Sequence, residues 1–115
     1  MLTETSKRNF LDKIGLSRRA GLAIIGQDRV RAAIREGKGP LMFFLASDAS
    51  PAVKRRIVAS SERRGDKHIQ MQTVSRWELG AALGLASAQI LGLPLASRFT
   101  ETLLEDLRRE GDVIE

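Results

Sequence analysis

The stretch GPLMFFLASDASP, Gly39 to Pro51, carries an apolar side chain at every position from Leu41 to Ala46. Successive side chains of a strand point to opposite faces, so an unbroken apolar run buries both. Such a strand requires helices packed on both sides of its sheet. Ser50-Pro51 then supplies an N-cap and a proline at the first position of a helix. On the upstream side, Gly37 and Gly39 followed by Pro40 form a stop signal for a preceding helix.

Working outward, the helix after Pro51 runs to Arg64 with Val53 and Ile57 inward. Lys54, Arg55, Arg56, Arg63 and Arg64 point outward, and Gly65 ends it. His68 to Val74 alternates weakly and reads as a less buried strand. Ser75 followed by Glu78 is a capping box that opens a short helix to about Leu83. Ala88 to Leu93 is another apolar strand, stopped by Pro94. Phe99, Leu103 and Leu107 give a C-terminal amphipathic helix ending near Gly111.

Upstream, Val30, Ala33 and Ile34 face one way on a helix from Gln27 to Glu36, and Leu22 to Ile25 is a short strand. Phe10, Leu11 and Ile14 mark a helix from Lys7 to Arg19, with Gly21 available as a left-handed C′ residue. The expected fold is α/β: a three-layer α/β/α sandwich with a four-stranded, largely parallel or mixed sheet, in the order αβαβαβαβα. Residues 7–111 form one domain, with flexible segments at 1–6 and 112–115.

Composition narrows the function. The 115 residues contain no cysteine, which removes disulfides, zinc-thiolate sites and thiol nucleophiles. Neither a signal peptide nor a membrane-spanning run is visible, so the cytoplasm is the expected location. Net charge is +5, unevenly spread: residues 1–100 hold 17 basic and 8 acidic side chains, residues 101–115 hold 2 and 6. A basic body favours a polyanionic partner. The acidic C-terminal helix is then either a solvated end or a competitor docked on that body.

Catalysis finds no foothold. His68 is the single histidine and reads as a solvated residue at a turn-to-strand junction. No metal-ligand cluster and no phosphate-loop spacing occur, so neither an enzyme nor a cofactor is expected. What remains is charge with geometry. Gly26 closes a strand and opens a helix, whose first N–H groups are free to meet a phosphate or a base edge. Taken alone, Gly26 makes only a tight strand-to-helix turn. Arg18, Arg19, Arg29 and Arg31 flank that turn as a cationic wall, and arginine suits phosphate contacts and stacking on unpaired bases. Trp77, in the first turn of its helix, is expected to be a partly buried packing residue.

The residues IGLSRRAGLAIIGQDRVRAAIREGKGPLMFFLASDASP, from Ile14, and WELGAALGLASAQILGL, from Trp77, carry a family resemblance. Over about residues 10–94 the chain resembles the superfamily of ribosomal proteins L-seven-Ae and L-thirty-e. It is most similar there to bacterial YlxQ-type proteins and to the domain that follows a YlxR domain in longer bacterial proteins. The resemblance implies a sandwich around a four-stranded mixed sheet, and binding of RNA kink-turns or related bent loops, with ribosome association in prospect. It also implies a site at the helix start, Gly26, Gln27, Asp28 and Arg29, joined by the loop Leu85, Ala86, Ser87 and Ala88 over a flipped-out nucleotide. The chain departs from the kink-turn pattern at four positions, one of them Ile25, where a basic residue often precedes the glycine. Asp28 and Arg29 stand for the usual Asn-Glu, and Ala32 for a lysine. The alternative is therefore a protein-interaction or adaptor domain that keeps the fold without kink-turn recognition.

Overall fold

The computed structural model describes residues 1–114, and the side chains of all of these except Gln27 and residues 60–64. Ten elements follow in order: α1 (Glu4–Arg19), β1 (Ile24–Ile25), α2 (Gln27–Arg35), β2 (Leu41–Leu45), α3 (Pro51–Arg64), β3 (Lys67–Met71), α4 (Arg76–Ala82), β4 (Ile90–Pro94), α5 (Arg98–Arg109) and β5 (Val113–Ile114). The sheet order is β1-β4-β2-β3-β5. Only β2 and β3 are parallel; the other three pairings are antiparallel, so the sheet is mixed.

The central strand does what its sequence demands. Leu41, Phe43 and Leu45 point into a core with Val30 and Ala33 of α2 and Val53 and Ile57 of α3. Met42, Phe44 and Ala46 point the other way, onto Phe10 and Ile14 of α1, Leu79 of α4, and Leu103 and Leu107 of α5. Two helices therefore cover one face and three the other. Phe43 and Phe44 are both fully buried, each worth about 1.5–3 kcal/mol of transfer free energy.

The sheet has five strands, not the four expected. Val113 and Ile114 pair antiparallel with Met71 and Gln70. What holds this pair in place is Asp112, which is fully buried. Its carboxylate accepts from the Leu2 amide at 3.3 Å, the Thr73 amide at 3.2 Å and the Thr73 hydroxyl at 2.7 Å. A two-residue strand has no periodicity of its own, so its pairing comes from that anchor.

Helix α1 likewise begins inside the 1–6 segment. Thr3 and Ser6 form a reciprocal capping box, and Leu2 is buried in the core. The acidic C-terminal helix packs on α1, with Asp106 accepting from Lys13 Nζ at 2.7 Å and from Arg109 Nη2 at 2.9 Å. It is thus not a solvated end, and it makes no ion pair with Arg18, Arg19, Arg29 or Arg31 among the described residues.

Candidate nucleic-acid interface

Strand register decides which loops meet. Ile25 pairs with Leu91 on β4, and Leu45 at the end of β2 pairs with Ile90. The Gly26 turn, the loop after β2 and the loop before β4 therefore lie at one end of the sheet. At Gly26 the backbone takes φ 86° and ψ 157°, a region open essentially to glycine alone. The conformation explains the residue.

The first backbone bond of α2 runs from the Val30 amide to the Gly26 carbonyl at 3.0 Å. The amides of Gln27, Asp28 and Arg29 precede it and have no acceptor within the helix. Glycine offers no side-chain cap, so the positive end of the helix dipole is open. Asp28 is exposed in this first turn, while the side chain of Gln27 lies outside the described residues.

The four arginines are all exposed, and among the described residues none makes an ion pair. They do not form one wall. Arg18 reaches over Gly84, where an added methyl would come within 2.6 Å of its Nη1. Arg19 lines a groove between α1 and α4, with Leu16, Ala81 and Ala82. Arg29 and Arg31 lie on either side of the buried Val30. Positions two apart on a helix are about 200° apart, so these two project from opposite flanks of α2. The alternation of basic and apolar residues already contained that divergence.

The loop from Leu85 to Ala88 lies back along α4. The Leu85 amide donates to the Gly80 carbonyl at 2.8 Å, and the Ala88 amide to the Arg76 carbonyl at 2.9 Å. Gly80 sits so close that a Cβ there would be 2.5 Å from Ser87 Cα. Leu85, Ala86 and Ser87 are exposed, and Ala88 is buried. Arg76 ties this region to the loop after β2: its amide donates to Asp48 Oδ1 at 2.8 Å, and its Nε lies 3.3 Å from Oδ2. The Arg76 guanidinium also donates to the Asp48 carbonyl.

Trp77 departs from its expected place, being 62% exposed. Helix α4 is only seven residues long, and its inward positions are taken by Leu79 and Gly80. The next residue, Glu78, faces α1 and sits 3.1 Å from Lys7 Nζ. Burial alone would raise the Glu78 carboxyl. The Ser75 amide and the Lys7 ammonium outweigh it and hold the group below its ordinary value.

Lys54, Arg55 and Arg56 are exposed along α3, and the side chains of Arg63 and Arg64 fall outside the described residues. His68 is exposed on β3, paired in register with Phe43. Among the described residues, no three His, Asp or Glu side chains converge as metal ligands would, and no helix is long and apolar enough to cross a membrane.

No family model and no curated protein matches the chain. Solved structures do share its fold. A Bacillus halodurans protein of unknown function superposes with a TM-score of 0.73 at 22% identity, over 86% of this chain and 96% of that one. The Giardia lamblia 15.5kD RNA binding protein superposes with a TM-score of 0.66 at 15% identity, over 93% of this chain and 88% of that one.

Proposed function

We propose that the chain is a non-enzymatic, YlxQ-like RNA-binding protein of the L-seven-Ae and L-thirty-e superfamily. In this reading it holds structured RNA, ribosomal or kink-turn-like, with the start of α2 and the loop 85–88, and works in association with the ribosome. One observation carries it: β1–β4 register sets the uncapped helix start and the exposed loop at the same end of the sheet. Exposed arginines, without ion pairs among the described residues, supply the counter-charge there. The fold shared with the Giardia RNA binding protein supports the same reading.

A titration of labelled ribosomal RNA fragments tests it. Log affinity should fall with log salt at a slope of roughly −0.7 to −0.9 for each phosphate neutralised. Arg29→Glu with Arg31→Glu should weaken binding at least about tenfold, and the two single reversals should be unequal because the side chains diverge. Equal binding by the double variant and the parent would mean that the site is elsewhere.

The adaptor reading draws its support from Asp28, an exposed carboxylate at the helix start. Absence of RNA retention at low salt would favour it.

A further inference from the structure

We infer that Trp77 is a stacking platform for an unpaired base of the bound RNA, an inference that rests on the RNA-binding reading and deepens it. At about 100° per residue, Gly80 and Trp77 fall on one flank of α4, and Glu78 and Ala82 on another, against α1. The Gly80 flank is the one the loop 85–88 lies on, since Gly80 meets the Ser87 backbone. The Ala88 amide is bonded to the Arg76 carbonyl, which places the loop's far end beside Trp77. The backbone at Trp77 therefore stands next to the proposed base-contacting loop, and its indole is 62% exposed.

Its neighbours suit an anionic partner with a planar ring. Arg18 lies over Gly84 at the loop's other end, without an ion pair among the described residues. The nearby carboxylates are already engaged: Asp48 by Arg76, Glu78 by Lys7. The opposing charge on this surface is thereby lowered.

A folded protein partner is a poorer fit. A stable interface covers about 800 Å² per partner around a cluster of apolar anchors. Trp77 and Leu85 are the large apolar side chains exposed on α4 and its loop among the described residues. A base needs one plane, and an indole provides it.

Trp77 is the sole tryptophan and the chain has no tyrosine, so its emission reports on this one position. The 115-residue protein is titrated with two labelled hairpin RNAs, one with an internal loop of unpaired purines and one fully paired. Anisotropy of the RNA label gives affinity, while indole emission gives stacking. Emission should be quenched in step with binding of the looped hairpin and far less with the paired one. Trp77→Ala should weaken binding of the looped hairpin roughly 5- to 100-fold, and Trp77→Phe should restore most of it.

Looped RNA that binds without quenching, and binds Trp77→Ala as tightly as the parent, overturns the platform and leaves the RNA-binding reading standing. Failure of both hairpins and of ribosomal RNA fragments to bind at low salt overturns that reading and this one with it. A blue shift that grows with protein concentration in the absence of RNA also overturns it, assigning the face to a second copy of the chain.

Discussion

The outer strands of the sheet, β1 and β5, are both two residues long, and their surroundings are opposite. At β5 the polar groups are turned inward. Asp112 takes three donors, and Asp106 takes Lys13 and Arg109. At β1 the chain passes through Gly26 into a helix with no side-chain cap, whereas α1, α4 and α5 are capped by Thr3, Ser75 and Ser97. One edge satisfies its donors internally, and the other leaves donors for something outside. In the proposed reading, that division separates what stabilises this protein from what it offers to RNA.

The comparison is broken most forcefully at the closed edge. Asp112→Ala removes the acceptor for three donors and should cost about 3 kcal/mol in urea denaturation. Its RNA affinity, corrected for the folded fraction, should equal that of the parent. A loss of binding beyond that fraction would show the two edges to be coupled.

Gly80→Ala strikes the other side. Its methyl would collide with the Ser87 backbone, so the loop must shift, at a cost of about 2 kcal/mol. Binding should weaken together with stability, in contrast to Asp112→Ala. Unchanged affinity would take the loop out of the interface.

The mildest change sharpens the contrast. Asp28→Asn removes a carboxylate from the positive end of α2, which should cost roughly 0.3–1 kcal/mol of stability at low salt. RNA affinity should rise by up to about fivefold, because the same charge opposes phosphate there. Affinity that falls would place no phosphate at this helix start.

Much of this architecture was readable in the residues. The run from Leu41 to Ala46 dictated a doubly covered strand, and the structure sends its alternate side chains into two separate cores. The Ser75–Glu78 box and the glycine after α1 mark real helix ends, with Gly21 at φ 76°. Long apolar patterns are legible because burial repeats along the chain. Strand β5 was not, because its reason lies in Leu2 and Thr73, both remote from it in sequence. The start of α1 is hidden from the sequence for a related cause: Ser6 closes the cap in place of the usual glutamate.

The site was half legible. Family likeness pairs Gly26 with the 85–88 loop, and strand register brings them to one end. The four arginines do not gather into one wall: Arg29 and Arg31, two apart on α2, diverge by about 200°, and Arg18 and Arg19 lie on α1. Trp77 goes the other way: a large apolar residue suggests burial, but a helix of seven residues has too few inward positions to hold it.

The anchoring of Leu2 by Asp112, with the Met1 ammonium donating to the Glu110 carbonyl, brings both ends of the described chain together beside β5. A short covalent bridge between them would close the polypeptide into a ring without disturbing the sheet. New ends could then be opened at a surface turn such as Gly37, and tethers attached beside β5 would leave from the edge remote from Gly26.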